Sequence, residues 1–347
     1  MRYIAFFILM GGMGLVFFGE TGGALLASGK NMWQLWQQGE SRFEEQLIDK
    51  GTVLGATEER EPVVAESRGL ATGFQPERKE YAPKLSIVTA HASIIVDADS
   101  GTVLYERSAH EQRQIASLTK LFTATIIMER VSDLEELVTV DEEAVYAEGT
   151  RVGCPRSGFC NGVRLKPGEK ISVRNLLKAA LMNSANDAAI ALGKHLGTTQ
   201  AGFAAIMNER ARTLGLTNSH FCTPSGLEPD GHEHECYSSA ADIAKVAIHA
   251  LDFPEIWEIM QNEKQFITSA DGQYTHEIFN TDQLLGQFPN LVGTKTGFTP
   301  LAGYSLLAVA TDYSEKHKVI AVVLDDQSRW QSIRSMFNWS FEAFEWK

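Results

Sequence analysis

The chain has 347 residues, of which 44% are hydrophobic and 22% charged, enough apolar content to bury at least one large core. Its formal net charge of −13 and the lack of any basic run exclude phosphate-backbone binding, so no nucleic acid is expected as a partner.

Arg2 precedes an apolar stretch from Tyr3 to Phe18 that only glycines interrupt, and Gly19-Glu20 ends it. Its length falls between a signal-peptide core and the roughly 18 residues a membrane-spanning helix needs. Small residues at Ala24 and Ala27 permit cleavage, so residues 1–27 read as a signal peptide or an N-terminal membrane anchor. Either reading puts the remainder outside the cytoplasm, in the periplasm or at the cell surface. Residues 28–84 are polar and read as a linker. Within them Asn31 to Lys50 can form a short amphipathic helix through Trp33, Trp36, Phe43 and Leu47, suited to a membrane surface, although a partly ordered juxtamembrane stretch is the plainer reading.

Ordered structure is expected from Leu85 to the end. Ser93 to Asp97 and Thr102 to Glu106 are β-rich runs joined by a turn, which makes a hairpin. Gln114 to Ala124 follows, continuing as an apolar, helix-compatible run to Arg130, so Ser117 is expected to open a helix. From Asp141 to Leu251 the pattern is helical, best at Val173 to Met182, Asp187 to Leu196, Ala201 to Leu214 and Ala240 to Leu251, with a loop over Gly149 to Gly168. Strand patterns return after Phe266, at Leu291 to Thr299, Tyr304 to Ala310 and Val319 to Leu324, the last two joined through Asp312 to His317. A final amphipathic helix is expected from Trp330 to Phe344. Strands at both ends with helices between them imply a sheet closed by the C-terminal segment, an α/β or α+β layer arrangement with an extra helical lobe.

The four cysteines, Cys154, Cys160, Cys222 and Cys236, permit two disulfides in three connectivities in an exported chain. Pairing Cys154 with Cys160 and Cys222 with Cys236 is the simplest, and four free thiols is the alternative. Cys222 and Cys236 also bracket His232 and His234, but the spacing fits no closed tetrahedral zinc pattern, so no metal is expected.

Chemistry concentrates on Ser117 and Lys120, one helical turn apart on the same face. A serine hydroxyl is a poor nucleophile, and a lysine amine can take its proton only where burial or nearby positive charge lowers the amine pKa. Alone the spacing means little, since Ser-x-x-Lys occurs by chance about once in a chain of this size. Two further motifs give it weight. Ser184-Ala-Asn186 stands in the break between two helices, 67 residues after Ser117, and Lys295-Thr296-Gly297 stands in a strand 111 residues later.

Together these residues resemble the penicillin-recognising serine enzymes, of which Ser-x-x-Lys and Lys-Thr-Gly are a signature. The likeness is strongest to the low-molecular-mass penicillin-binding proteins that act as D-alanyl-D-alanine carboxypeptidases. Thr223-Pro-Ser-Gly-Leu227, Tyr237-Ser-Ser-Ala-Ala-Asp242 and Asn338-Trp-Ser-Phe341 extend it over about Ser93 to Phe341. The resemblance implies a β-lactamase/transpeptidase-like fold, an antiparallel sheet flanked by helices with an inserted all-helical lobe. It also implies a role for each site residue. Ser117 would be the acylated nucleophile, Lys120 its base, Ser184 a proton relay, and Asn186 and Lys295 the groups that orient and charge the site. Thr296 and Arg329 would hold the substrate carboxylate beside Gly297, with the backbone N–H groups of Ser117 and Phe298 as oxyanion hole.

The implied substrate is a peptidoglycan stem peptide, with β-lactams as acylating inhibitors and no cofactor. Competing readings are a D,D-endopeptidase or transpeptidase, a β-lactamase, and a non-catalytic peptidoglycan-binding or β-lactam-sensing domain. The lactamase reading wants a deacylating Glu-x-x-x-Asn loop, and Glu258 to Asn262, the similar match after Asn186, falls in a helix-like stretch. Many relatives continue beyond the position where this chain stops, six residues after Phe341, into a β-rich second domain and a C-terminal anchor. The N-terminal apolar segment is the expected substitute for that anchor.

Overall fold

The computed structural model describes residues 74–347 except 86–87, 155–159 and 161, together with the backbone of two short strands nearer the N-terminus. Those two, Val16–Phe18 and Ala24–Leu26, pair antiparallel within an N-terminal unit, Met1–Glu58. The helix expected over Asn31 to Lys50 and most of the linker lie outside the described residues. Among the described residues no helix is long and apolar enough to cross a membrane.

The second unit, Glu59–Lys347, begins its described elements with strands β1 (Pro76–Arg78), β2 (Ala92–Asp97) and β3 (Val103–Arg107), followed by helix α1 (Thr119–Arg130). The helical lobe comprises β4 (Leu137–Thr139), α2 (Glu142–Val145), β5 (Lys170–Ser172), α3 (Val173–Met182), α4 (Asn186–Gly197) and α5 (Gln200–Thr213). Then come α6 (Ala240–Ala250), α7 (Pro254–Met260), β6 (Lys264–Thr268), β7 (Thr275–Phe279), β8 (Leu291–Thr299), β9 (Gly303–Thr311), β10 (Lys318–Leu324), α8 (Arg329–Ala343) and β11 (Phe344–Trp346).

Five strands form the main sheet in the order β8-β9-β10-β2-β3, every neighbouring pair antiparallel. The C-terminal strands therefore return to the first hairpin, as the sequence pattern requires. Because side chains alternate across a strand, the sheet sorts its residues onto two faces. Ile94, Val96, Leu307, Ile320 and Val322 pack against the helical lobe, while Ile95, Leu306, Ala321 and Val323 pack against Ile333, Met336 and Phe337 of α8. Burying each such side chain stabilises the fold by about 1.5–3 kcal/mol. The apolar run Val319 to Leu324 lacks alternation because β10 is covered on both faces.

Helix starts in the lobe follow the capping chemistry of the sequence. Ser172 and Thr199 accept hydrogen bonds from Asn175 N and Gly202 N at the heads of α3 and α5, and Ser239 does the same for Asp242 N at α6.

Three features depart from the sequence expectation. Residues 74–84, ahead of the expected start at Leu85, are already packed on the domain, because β1 pairs with β11, Lys79 Nζ donates to Glu342 O, and Trp339 Nε1 donates to Pro83 O. Backbone pairing needs no apolar side chains, so a polar composition concealed it. The final helix yields at Phe344 to that strand. The lobe also carries two small ribbons, β4–β5 and β6–β7, whose three- to five-residue strands are too short to announce themselves by periodicity.

Candidate active site

Ser117 lies in a one-turn 3₁₀ helix, Ala116–Leu118, just ahead of α1 rather than in the α-helix itself. Ala116 has φ +47°, a left-handed conformation that costs a non-glycine residue energy and must be held by its surroundings. Two glycines hold it. A Cβ on Gly226 would stand 2.0 Å from Ala116 O, and one on Gly297 would stand 2.8 Å from Ile115 O, so the turn is clamped between two bare backbones. Ser117 stays half-buried while Ala116, Leu118 and Lys120 are fully buried.

Lys120 Nζ reaches Ser117 Oγ, Asn186 Oδ1 and Ser225 O, each at 2.7 Å. Burial holds its pKa well below the ordinary lysine value, the Lys295 charge lowers it further, and Asp187 opposes both. Asn186 opens α4 and is fixed from the Glu148 to Thr150 segment, its N–H donating to Thr150 O and its Nδ2 to Glu148 O. The adjacent Asp187 accepts from Val152 N and Ala188 N, and burial pushes its carboxyl up to about 7 against those bonds.

Ser184 has φ +56° in the break between α3 and α4, and its Oγ accepts from Lys295 Nζ at 2.9 Å. Lys295 also donates to Thr296 O, and burial followed by the Arg329 charge lowers its pKa to about 7. Thr296 Oγ1 is 2.8 Å from Thr281 Oγ1, and Thr281 N donates to Met182 O, which ties the strand to α3. Arg329 occupies the first position of α8, where the helix dipole disfavours a cation. Its Nη1 donates to Gly297 O and Ser305 O, and its guanidinium lies 5.1 Å from the Tyr304 and Trp330 ring centroids. Phe298 packs on Tyr304 with centroids 4.5 Å apart.

The fold thus joins Ser117, Lys120 and Asn186 in one hydrogen-bonded group and Ser184 and Lys295 in a second, with Lys295 close enough to bias the Lys120 charge. The sequence reading omitted Ser225 O, Asp187 and Thr281. Thr223-Pro-Ser-Gly-Leu227 was the available signal for the first, because only a special turn needs Pro and Gly flanking one serine.

Cys154 pairs with Cys160 and Cys222 with Cys236, the sequence-local connectivity. Both thiols of the zinc alternative are therefore consumed, and His232 Nδ1 meets Glu235 Oε1 at 2.9 Å. The second disulfide closes the segment that delivers Ser225 O to Lys120. A Cys222→Ser/Cys236→Ser double variant is expected to lose about 3 kcal/mol of stability from loop-closure entropy, read as a lower denaturant midpoint at an unchanged slope. Glu258 is exposed, and its backbone carbonyl accepts from Asn262 Nδ2, so this pair closes the end of α7.

A serine turn over a buried lysine, a Ser-x-Asn break and a Lys-Thr-Gly edge strand on this sheet define the penicillin-binding and transpeptidase class of fold. The family model described as peptidase S11, D-alanyl-D-alanine carboxypeptidase, matches residues 78–328, and the chain belongs to that family. D-alanyl-D-alanine carboxypeptidase DacC of Escherichia coli is 36% identical over 79% of this chain and 66% of its own length. DacF of Bacillus subtilis is 29% identical over 74% of this chain and 63% of its own. The chain thus spans just under two thirds of the length of these curated relatives. A D-alanyl-D-alanine carboxypeptidase structure from Mycobacterium tuberculosis aligns with a TM-score of 0.66 at 28% identity, covering 76% of this chain and 96% of that one. Penicillin-binding protein D2 of Listeria monocytogenes, solved in its ampicillin-bound form, aligns with a TM-score of 0.60 at 29% identity, covering 75% of this chain and all of that one.

Proposed function

We propose that the protein is a serine D-alanyl-D-alanine carboxypeptidase that removes the terminal D-alanine from peptidoglycan stem peptides through an acyl-enzyme on Ser117. The observation that carries this reading is the 2.7 Å contact between Ser117 Oγ and a buried lysine amine whose pKa is held low. In its neutral form Lys120 accepts the Ser117 proton, and Oγ attacks the carbonyl between the two D-alanines. The backbone N–H groups of Ser117 and Phe298 receive the developing oxyanion. The proton passes from Lys120 by way of Ser184 to the leaving amine, and D-alanine departs. Water then takes the same path in reverse, with Lys120 as base, and releases the shortened peptide and free Ser117.

Lys295 and Thr296 hold the terminal carboxylate. Arg329 contributes positive field and braces β8 through Gly297 O, while Asn186 orients Lys120. β-Lactams enter the same route, their strained amide replacing the scissile bond, and deacylation is slow. The disulfides and the N-terminal apolar segment fit an extracytoplasmic enzyme, exported or held at the membrane by that segment.

Intact-protein mass after incubation with benzylpenicillin tests the reading. One adduct is expected on the parent and none on Ser117→Ala. An adduct that survives the substitution, or none on folded parent protein that leaves the drug intact, rejects it.

A further inference from the structure

Thr223 to Leu227 leads directly into Glu228, whose carboxylate the catalytic steps above do not use. Thr299 Oγ1 accepts from Ala302 N at 3.1 Å and donates to Glu228 Oε1 at 2.7 Å, so the hydroxyl is oriented and the carboxylate is pinned to the end of β8. Among the described residues no hydrogen bond or ion pair reaches Oε2. Glu228 is half-buried; on one side it lines a small cavity with Ile115, Ala116 and Cys222 behind the serine turn, and its tie to the strand is the Thr299 hydrogen bond. The other charged groups of this loop, Asp230, His232, Glu233, His234 and Glu235, make no hydrogen bond to β8.

β8 is an edge strand, so a peptide can lie along it. On the carboxypeptidase reading, the terminal carboxylate sits at Lys295 and Thr296 and the scissile carbonyl oxygen at Phe298 N–H. That order fixes direction: the chain upstream of the acyl D-alanine leaves toward Thr299. At about 3.3 Å per residue, the third stem residue draws level with Thr299 and its carboxylate partner. The groove is then cationic where the peptide is anionic and anionic where a diamino side chain is cationic.

We infer that Glu228 is a specificity-determining residue that selects stem peptides bearing a free ammonium on the third residue. The inference rests on the carboxypeptidase reading and sharpens it. A neutral or acylated amine at that position leaves Oε2 unpaired and loses the charge-assisted contact.

The test uses the full chain and two peptides, Nα-acetyl-L-Lys-D-Ala-D-Ala and its Nα,Nε-diacetyl analogue. The free ammonium peptide is expected to show about fivefold higher kcat/KM, the size of a favourable partly exposed ion pair. Glu228→Gln is expected to bring that ratio close to one. A general loss of activity or fold lowers both peptides alike and leaves the ratio unchanged, so the ratio separates recognition from damage. Equal kcat/KM for the two peptides in the parent overturns the inference whether or not the variant folds, and so does a ratio that Glu228→Gln leaves intact. Hydrolysis of neither peptide by protein that benzylpenicillin acylates overturns it too, while the nucleophile assignment stands. Absence of both hydrolysis and acylation rejects the two readings together.

Discussion

Replacing Lys120 with methionine is expected to lower the second-order rate of benzylpenicillin acylation and the kcat/KM for a D-alanyl-D-alanine peptide by about 10²- to 10⁴-fold, the usual worth of a positioned general base. Methionine fills a similar volume without an amine. Asn186 Oδ1 and Ser225 O then lose their 2.7 Å donor, at a cost of roughly 1–3 kcal/mol for each acceptor left unsatisfied. Removing a buried amine returns part of that cost, because a lysine this deep has surrendered its hydration. Thermal unfolding should therefore move by only a few degrees while acylation collapses. A variant that acylates at the parent rate would remove Lys120 from the mechanism.

The proposed mechanism also sets a pH dependence. Acylation needs neutral Lys120, so the rate rises with pH through a pKa well below the ordinary lysine value. Carboxylate capture needs charged Lys295, so in the free enzyme the rate falls as pH passes about 7. The expected profile is a bell to which each lysine contributes one limb. Stability has its own sign. Between about 7 and the free lysine value of about 10.4, the unfolded chain binds a proton at Lys295 that the folded chain does not, so stability from this group rises with pH across that window.

Side-chain pattern carried much of this molecule and backbone geometry carried the rest. β9 and β10 were legible because they are apolar over most of their seven to nine residues, and β8 through the β-branched residues around Lys295. The helices of the lobe were legible through their spacing and their serine and threonine caps. Ser117, Lys120, Ser184, Asn186 and Lys295 could be picked out because their types and order are unusual together. What stayed hidden was main-chain: the 3₁₀ turn under Ser117, the positive φ of Ala116 and Ser184, and the carbonyl of Ser225 that takes a Lys120 hydrogen bond. No side-chain alphabet encodes a carbonyl acceptor. The β1–β11 pairing was concealed for the same reason, since its hydrogen bonds run between backbones far apart in sequence.

That hidden backbone layer is where the second large effect is expected, at Gly226→Ala. The residue has φ +80°, and an added Cβ would stand 2.0 Å from Ala116 O and 2.7 Å from Thr119 Oγ1. Alanine in the left-handed region costs roughly 1–2 kcal/mol before any clash. The contact with Ala116 O cannot be relieved by rotating a side chain, because one partner is a backbone carbonyl and the other a Cβ whose position the backbone fixes. The Thr223 to Leu227 segment and the serine turn must move apart, carrying Ser225 O away from Lys120 and shifting Ser117. A displacement near 1 Å at reacting groups costs about 10²-fold in rate, so acylation is expected to fall by that order together with a lower melting temperature. Gly215→Ala supplies the control. Its φ is +67° and nothing lies within 4 Å of the added Cβ, so it meets the backbone strain alone. It should lower the melting temperature modestly and leave acylation at the parent rate. If both variants lose the same stability and both acylate normally, the turn under Ser117 is held by something other than the bare backbone of Gly226.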